Sequence, residues 1–366
     1  MGETNNTEKW DKVISFIADE KCLLLIGPEI QQNESKSQSL VFREKLYANY
    51  EDQIAHYHQH DGLFLFKNDY VKAEISQDLK QLYTSTPYDE TIYKTIAQIP
   101  FHLVISINPE AYLSDVCFKY NIRHRFSYFK SKEKAVGQIE RPTRDFPLVY
   151  NLCGSIKDDE SLILDYEDLF SLIGSALGIP GLPEELRAAL DKIRTYVFLG
   201  FSFEKWYTQL LLRIICGDKK YPKYSVHHRF GDDDTKNFLM HQFQIEFLEE
   251  DFRFLDQIME SCKEKAKDPL NAHLYRPLSD PASADEVEII RFISNNDLDK
   301  AVSKLVSMAT GTALSAEAAA VSSRYYQWRD DKAGGKIDSR DLVVTFNQVV
   351  DAILKTAKEI AKTKAP

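Results

Sequence analysis

The chain opens on helical spacing. Between residues 7 and 20, apolar side chains fall at Trp10, Val13, Ile14 and Ile17, with Asn6 or Thr7 as N-cap. The run Cys22-Leu23-Leu24-Leu25-Ile26 follows, stopped by Gly27 and Pro28. An unbroken apolar run of this length predicts a strand buried on both faces, as in a parallel sheet. Residues of about 31–98 hold polar, Tyr-rich segments with helical periodicity, 70–83 among them. Apolar runs then recur at long intervals, at 101–107, 148–153, 161–164, 196–200, 224–228 and 245–248, the last leading into a helix over about 252–265. Strands separated by helical segments imply crossover connections and a doubly wound, mostly parallel α/β sheet of Rossmann-like form. Ligands of such sheets bind beyond the carboxyl ends of the strands, so the loops after them hold the candidate chemistry.

The pattern changes after residue 269. Pro277, Pro281 and small polar residues mark 270–284 as a linker. Helical periodicity then returns over 284–295, 298–310, 315–328 and 339–361, separated by a turn at Lys332-Ala333-Gly334-Gly335. Leu342, Phe346, Val349, Val350, Ile353 and Leu354 form one apolar stripe on the last helix. The expected organisation is an α/β domain over 1–269 and an all-helical bundle domain over 285–366.

Charge supports this division. The formal net charge is −10, while residues 285–366 hold twelve acids and twelve bases, so the excess lies in the first part. A chain this acidic is not expected to bind nucleic-acid backbones. No apolar run reaches the roughly 18 residues of a membrane span, and the polar N-terminus does not read as a secretory signal. Cys22, Cys117, Cys153, Cys216 and Cys262 are odd in number and widely spaced, without a C-x-x-C pair. They are expected as free thiols of a cytoplasmic protein, and no zinc ribbon is expected.

Four segments after strands fall in a recognisable order: Leu25-Ile26-Gly27-Pro28-Glu29, Ser106-Ile107-Asn108-Pro109-Glu110, Leu152-Cys153-Gly154-Ser155-Ile156 and Leu199-Gly200-Phe201-Ser202-Phe203-Glu204. Tyr166-Glu167-Asp168-Leu169 follows the third. By these motifs, residues of about 8–265 resemble the sirtuin-like domains of prokaryotic defence and conflict proteins. The resemblance implies NAD or a related nucleotide as the cofactor. Gly27, Glu29, Asn108, Gly154, Ser155, Gly200 and Ser202 are the implied cofactor-binding positions, and Asn108 and Cys153 the implied catalytic ones.

The sequence departs from the family at the chemical positions. In active relatives the first loop is Gly-Ala-Gly, which lets the cofactor phosphates approach the backbone. Here Pro28 supplies no N–H, and Glu29 brings a negative charge whose repulsion of phosphate is on the order of several kcal/mol. Asn108 stands where the family has a catalytic Asn, although Asn before Pro109 also serves as an ordinary turn residue. Cys153 replaces the catalytic His, and a thiol titrating near 8.5 is a poor base at neutral pH. Gly200 and Ser202 match the motif that touches the adenosine side in active relatives. Ser202 is equally suited to cap the following helix.

Residues 285–361 resemble the effector-associated domains of bacterial conflict systems. The resemblance rests on Val321-Ser322-Ser323-Arg324-Tyr325, Gly335-Lys336-Ile337-Asp338 and Phe346-Asn347-Gln348-Val349. Such domains are small helical bundles that pair like with like, so a partner with a matching domain is implied, and self-association is an open alternative. Arg324, Tyr325, Arg329 and Asn347 are the candidate interaction residues.

Other constellations are weaker. His56, His58 and His60 alternate before Asp61, but no distant partner residues mark a metal site. The stretch Gly231-Asp232-Asp233-Asp234 lacks the spacing of a calcium loop and reads as a polar turn. The leading expectation is a catalytically degenerate sirtuin-like scaffold or ligand-binding module, recruited by its helical domain. The alternatives are an NAD-cleaving effector, with protein deacetylation the least expected activity, and a sensor of a nucleotide derivative.

Overall fold

The computed structural model describes residues 2–33, 36–131, 139–178, 182–201, 203–217, 220–226, 233–248, 253–294, 297–334 and 339–364. Two compact units are formed, Met1–Ser114 with His124–Pro277, and Asp115–Arg123 with Leu278–Pro366.

The first unit begins with α1 (Gly2–Ala18) and β1 (Cys22–Ile26). Two short strands, β2 (Gln32–Asn33) and β3 (Lys36–Ser37), lead into α2 (Gln38–Asn49). A hairpin of β4 (Ile54–His58) and β5 (Leu63–Phe66) is followed by α3 (Asp69–Ser85) and α4 (Thr91–Gln98). Then come β6 (Leu103–Ser106), α5 (Tyr112–Lys119), which belongs to the second unit from Asp115 onward, β7 (Arg125–Tyr128) and β8 (Leu148–Asn151). The unit continues through α6 (Tyr166–Ala176), α7 (Glu184–Leu190), β9 (Thr195–Leu199), α8 (Trp206–Cys216), β10 (Lys223–Val226), α9 (Asp233–Phe238), β11 (Ile245–Leu248) and α10 (Arg253–Lys265).

Among the described residues, seven strands make one sheet in the order β11-β10-β9-β1-β6-β8-β7, and every pair in it is parallel. The expected doubly wound sheet is therefore present. The strands read from unbroken apolar runs lie at its centre, where β1, β6, β8 and β9 are buried along their whole length. Leu23, Leu25, Ile105 and Phe198 share a core cluster with Leu169, Leu172, Leu211 and Leu212 from α6 and α8. Burial on both faces leaves no position where a polar side chain reaches water, hence the unbroken runs.

Two expectations need correction, and one strand was not expected. Residues 161–164 do not form a strand of the sheet: a 3-10 turn ends at Ser161 and an extended stretch follows. Leu162, Ile163 and Leu164 are buried, and the Leu164 carbonyl accepts the Phe64 N–H at 2.8 Å. The apolar run thus reflects packing under the hairpin, not sheet pairing. The edge strand β7, Arg-Phe-Ser-Tyr, gave no apolar run because its buried positions, Arg125 and Ser127, are polar. Asp233 and Asp234, expected in a turn, open α9, while Gly231 and Asp232 lie outside the described residues. Residues 227–228 of the expected run 224–228 also lie outside them.

The second unit contains α11 (Ala284–Ser294), α12 (Leu298–Ala309), α13 (Ser315–Ala333) and α14 (Ser339–Lys364), matching the four helical periods. Ser283 and Glu286 exchange side-chain and backbone bonds at the start of α11, a capping box. Ile290, Leu305, Val321, Val350 and Ile353 lie in its buried core. Helix α13 runs five residues past the expected end at 328, so that Lys332 and Ala333 are helical and Gly334 is the cap. Residues 335–338 lie outside the described set. Among the described residues, no helix is long and apolar enough to cross a membrane.

Candidate functional site

The chain leaves β1 toward β6 on one side and returns to β9 on the other. The carboxyl ends of β1, β6 and β9 therefore surround the point where an open α/β sheet places its ligand. Here the loops close on one another. The Gly27 N–H donates to the Leu199 carbonyl at 2.8 Å, and the Glu29 N–H to the Gly200 carbonyl at 2.8 Å. With Pro28 between them, the residues that would cradle a phosphate have no free backbone donor left. The Gly27 Cα faces the Gly200 carbonyl so closely that an added Cβ would sit 2.3 Å from its oxygen. Gly200 has φ +62°, and its own Cβ would meet the Ile30 nitrogen at 2.2 Å. The close approach these glycines permit is thus between two protein loops.

Asn108 is buried and its amide donates to the Gly27 carbonyl at 2.9 Å. A longer contact of 3.4 Å reaches Glu110 Oε1, which also accepts the Tyr93 hydroxyl at 3.2 Å. Asn108 therefore ties the loop after β6 to the loop after β1, with its backbone held by Ser106 Oγ at 3.0 Å. It does not act as a turn cap alone.

Gly154 and Ser155 form a self-contained turn. Gly154 has φ +81°, and a Cβ there would lie 1.9 Å from the Ser161 carbonyl oxygen. The Ser155 N–H donates to Ser161 Oγ at 2.8 Å, and Ser155 Oγ accepts the Lys157 N–H at 3.2 Å. Ser202 lies outside the described residues.

Cys153 is partly buried, and withdrawal from water pushes its thiol up to about 12, with Arg43 and Lys205 opposing. It stays protonated at neutral pH and offers neither a base nor a thiolate. Cys153 and Asn108 line one cleft together with Pro28, Arg43, Asp61, Lys205 and Tyr207. Its enclosed volume is about 60 Å³. Sites for drug-sized ligands run to roughly 300–1,000 Å³.

Sequence reasoning did not find the charged wall of this cleft. Arg43 comes from α2, Asp61 from the turn between β4 and β5, and Lys205 from the start of α8. Asp61 stood out only as the end of the alternating His motif. His56 and His58 lie on β4 and His60 in the turn after it, with the His56 and His58 rings 4.4 Å apart and His58 against Tyr166 at 5.0 Å. Among the described residues no group of three or more His, Cys, Asp or Glu side chains is placed to hold a metal ion.

In the second unit, Arg324, Arg329 and Asn347 are exposed. Tyr325 is not: it is 4 % exposed and packs on Trp328 with ring centroids 6.1 Å apart, which makes it a core residue. Arg329 pairs with Asp299 at 3.0 Å and covers the Tyr326 ring at 4.7 Å.

The fold defines a Rossmann-like α/β unit whose cleft lies at the sheet's switch point, in one chain with a helical bundle. Residues 81–248 match the family model of the SIR2-like domain, and residues 286–361 that of effector-associated domain 11. The chain carries a SIR2-like domain fused to a C-terminal effector-associated domain, a pairing that suggests a component of a defence or conflict system. No curated protein matches the sequence.

Proposed function

We propose that the chain is a recruited, non-hydrolysing component of such a system. Its SIR2-like unit keeps the fold of an NAD-cleaving domain without the chemistry, and its effector-associated unit brings it to a partner bearing a matching domain. The observation that carries this reading is the closed loop after β1, whose Gly27 and Glu29 N–H groups are bonded to β9 and its loop. Cys153 at the position of the family's His, protonated at neutral pH, supports it. So does Asn108, whose amide is engaged by Gly27.

The reading is tested by incubating the full chain at high concentration with NAD, with and without cell lysate, and following nicotinamide release. Release at the level of buffer is expected in both arms. Release that disappears in Asn108→Ala would make the chain an NAD-cleaving effector instead.

The partner half has its own test. Arg324 and Arg329 are exposed on α13 and Asn347 on α14, and charge at a surface sets partner choice. The doubly substituted R324E/R329E chain is expected to capture a matching effector-associated domain at least tenfold less well than the parent chain. Equal capture would remove this face from the interface.

A further inference from the structure

The cleft contains charged groups that the protein's own atoms leave unsatisfied. The Lys205 ammonium has no hydrogen-bond acceptor among the described residues, and it stands 5.8 Å from the Tyr207 ring. Burial, and then the neighbouring Arg43 charge, lower its pKa to about 8, against the opposing pull of Asp61 and Glu29. Arg43 donates to the Gly62 carbonyl at 2.6 Å and the Ile163 carbonyl at 3.4 Å, and no carboxylate among the described residues pairs with it. Asp61 is divided. Its Oδ2 accepts the Tyr166 hydroxyl at 2.6 Å and the Trp206 indole N–H at 3.3 Å. Its Oδ1 is buried and accepts nothing from the described residues. Buried polar atoms nearly always find partners, so two cations and one orphaned carboxylate oxygen on one wall point to a missing occupant.

We infer that this cleft binds a protonated phosphate, whose oxygens accept hydrogen bonds from Lys205 and Arg43 while its P–OH donates to Asp61 Oδ1. The cations alone would suit any small oxyanion. Asp61 Oδ1 selects among them, because it repels an oxygen without a proton and accepts from one that carries it. The cleft's volume of about 60 Å³ has room for a group of this size and not for a whole dinucleotide. Glu29 does not line it. The source is either free inorganic phosphate or the terminal phosphate of a larger molecule whose remainder stays outside.

Trp206 supplies the signal. Of the three tryptophans, Trp10 and Trp328 are buried and Trp206 is 41 % exposed, with its indole on the carboxylate that meets the ligand. The full chain is titrated with inorganic phosphate, with sulfate at matched ionic strength, and with ribose 5-phosphate, reading tryptophan emission and heat. Saturable phosphate binding is expected, at least tenfold tighter than sulfate. Lys205→Met, which keeps the aliphatic stem, is expected to weaken phosphate at least tenfold. Asp61→Asn offers sulfate a donor and is expected to abolish the preference between the two ions. Tighter binding of ribose 5-phosphate than of phosphate identifies a terminal phosphate as the source, and weaker binding identifies the free ion. No saturable phosphate binding, equal affinity for sulfate, or unchanged binding by Lys205→Met overturns the inference. The location rests on the non-hydrolysing cleft proposed above, but the titration contains no NAD. Nicotinamide release would therefore sink that reading without deciding this one.

Discussion

Gly154→Ala is expected to leave little or no folded first unit. The added methyl would stand 1.9 Å from the Ser161 carbonyl oxygen and 2.5 Å from its carbon, backbone atoms held by the turn that Ser155 and Ser161 close. Gly154 also has φ +81°, where a side chain adds about 1–2 kcal/mol of its own. Strain that a rigid backbone cannot relieve belongs with the rare substitutions costing about 4 kcal/mol or more, a large part of a domain's roughly 5–15 kcal/mol. Gly200→Ala meets the Ile30 nitrogen at 2.2 Å and should behave alike. Gly311→Ala is the control: φ is +78°, but nothing lies within 4 Å of its Cβ, so only the conformational cost applies. Soluble yield and urea unfolding of the three variants measure the contrast. A Gly154→Ala chain as stable as Gly311→Ala would refute the packing account. If the account holds, lost function on substituting these motif glycines reports misfolding and says nothing of a bound phosphate.

Lys205→Met is expected to act in the opposite direction and stabilise the protein at pH 7 by roughly 3 kcal/mol, the equivalent of its lowered pKa. The cause is burial of the ammonium first and the Arg43 charge second, which together bring it from the usual 10.5 to about 8. Below pH 8 the lysine is charged in both folded and unfolded chains, and the full cost of burying it is present. Between pH 8 and 10.5 the unfolded chain still holds the proton that the folded chain has released, so the parent's stability rises with pH across that window. The Met variant has no such rise, and the two should converge near pH 10.5. Urea unfolding at pH 7 and pH 10 checks both the sign and the convergence. A less stable Met variant at pH 7 would mean that the ammonium is satisfied within the protein. Phosphate added at pH 7 should narrow the gap, since a ligand that binds the folded parent more tightly than the folded variant stabilises the parent more by mass action. A residue that weakens the fold and yet is paired with nothing described is the kind found where binding is traded against stability.

The central strands were legible from single segments because of their burial. A strand covered on both faces has to be apolar at every position, and Cys22-Leu23-Leu24-Leu25-Ile26 meets that demand without reference to any other part of the chain. The helices of the second unit were legible for a similar reason, since a one-sided core imposes the helical period on Ile289, Ile293, Val350 and Ile353. The edge strand β7 escaped because polar Arg125 and Ser127 hold its buried positions, and residues 161–164 misled because apolar character reports burial rather than pairing. Tyr325 misled in the same way: its place beside Arg324 says nothing of the helix face it occupies, and it turned inward.

The motif glycines mark the opposite limit. Their order along the chain identified the family resemblance, but what each one approaches depends on a loop far away in sequence, Gly200 for Gly27 and Ser161 for Gly154. By itself, the sequence determined the parallel α/β core and the helical second unit, because each depends on residue identity or on local periodicity. Only the tertiary structure decided that the loop after β1 is closed, and that Arg43, Asp61 and Lys205 share one cleft. Those outcomes depend on hydrogen bonds and charges between segments that folding alone brings together.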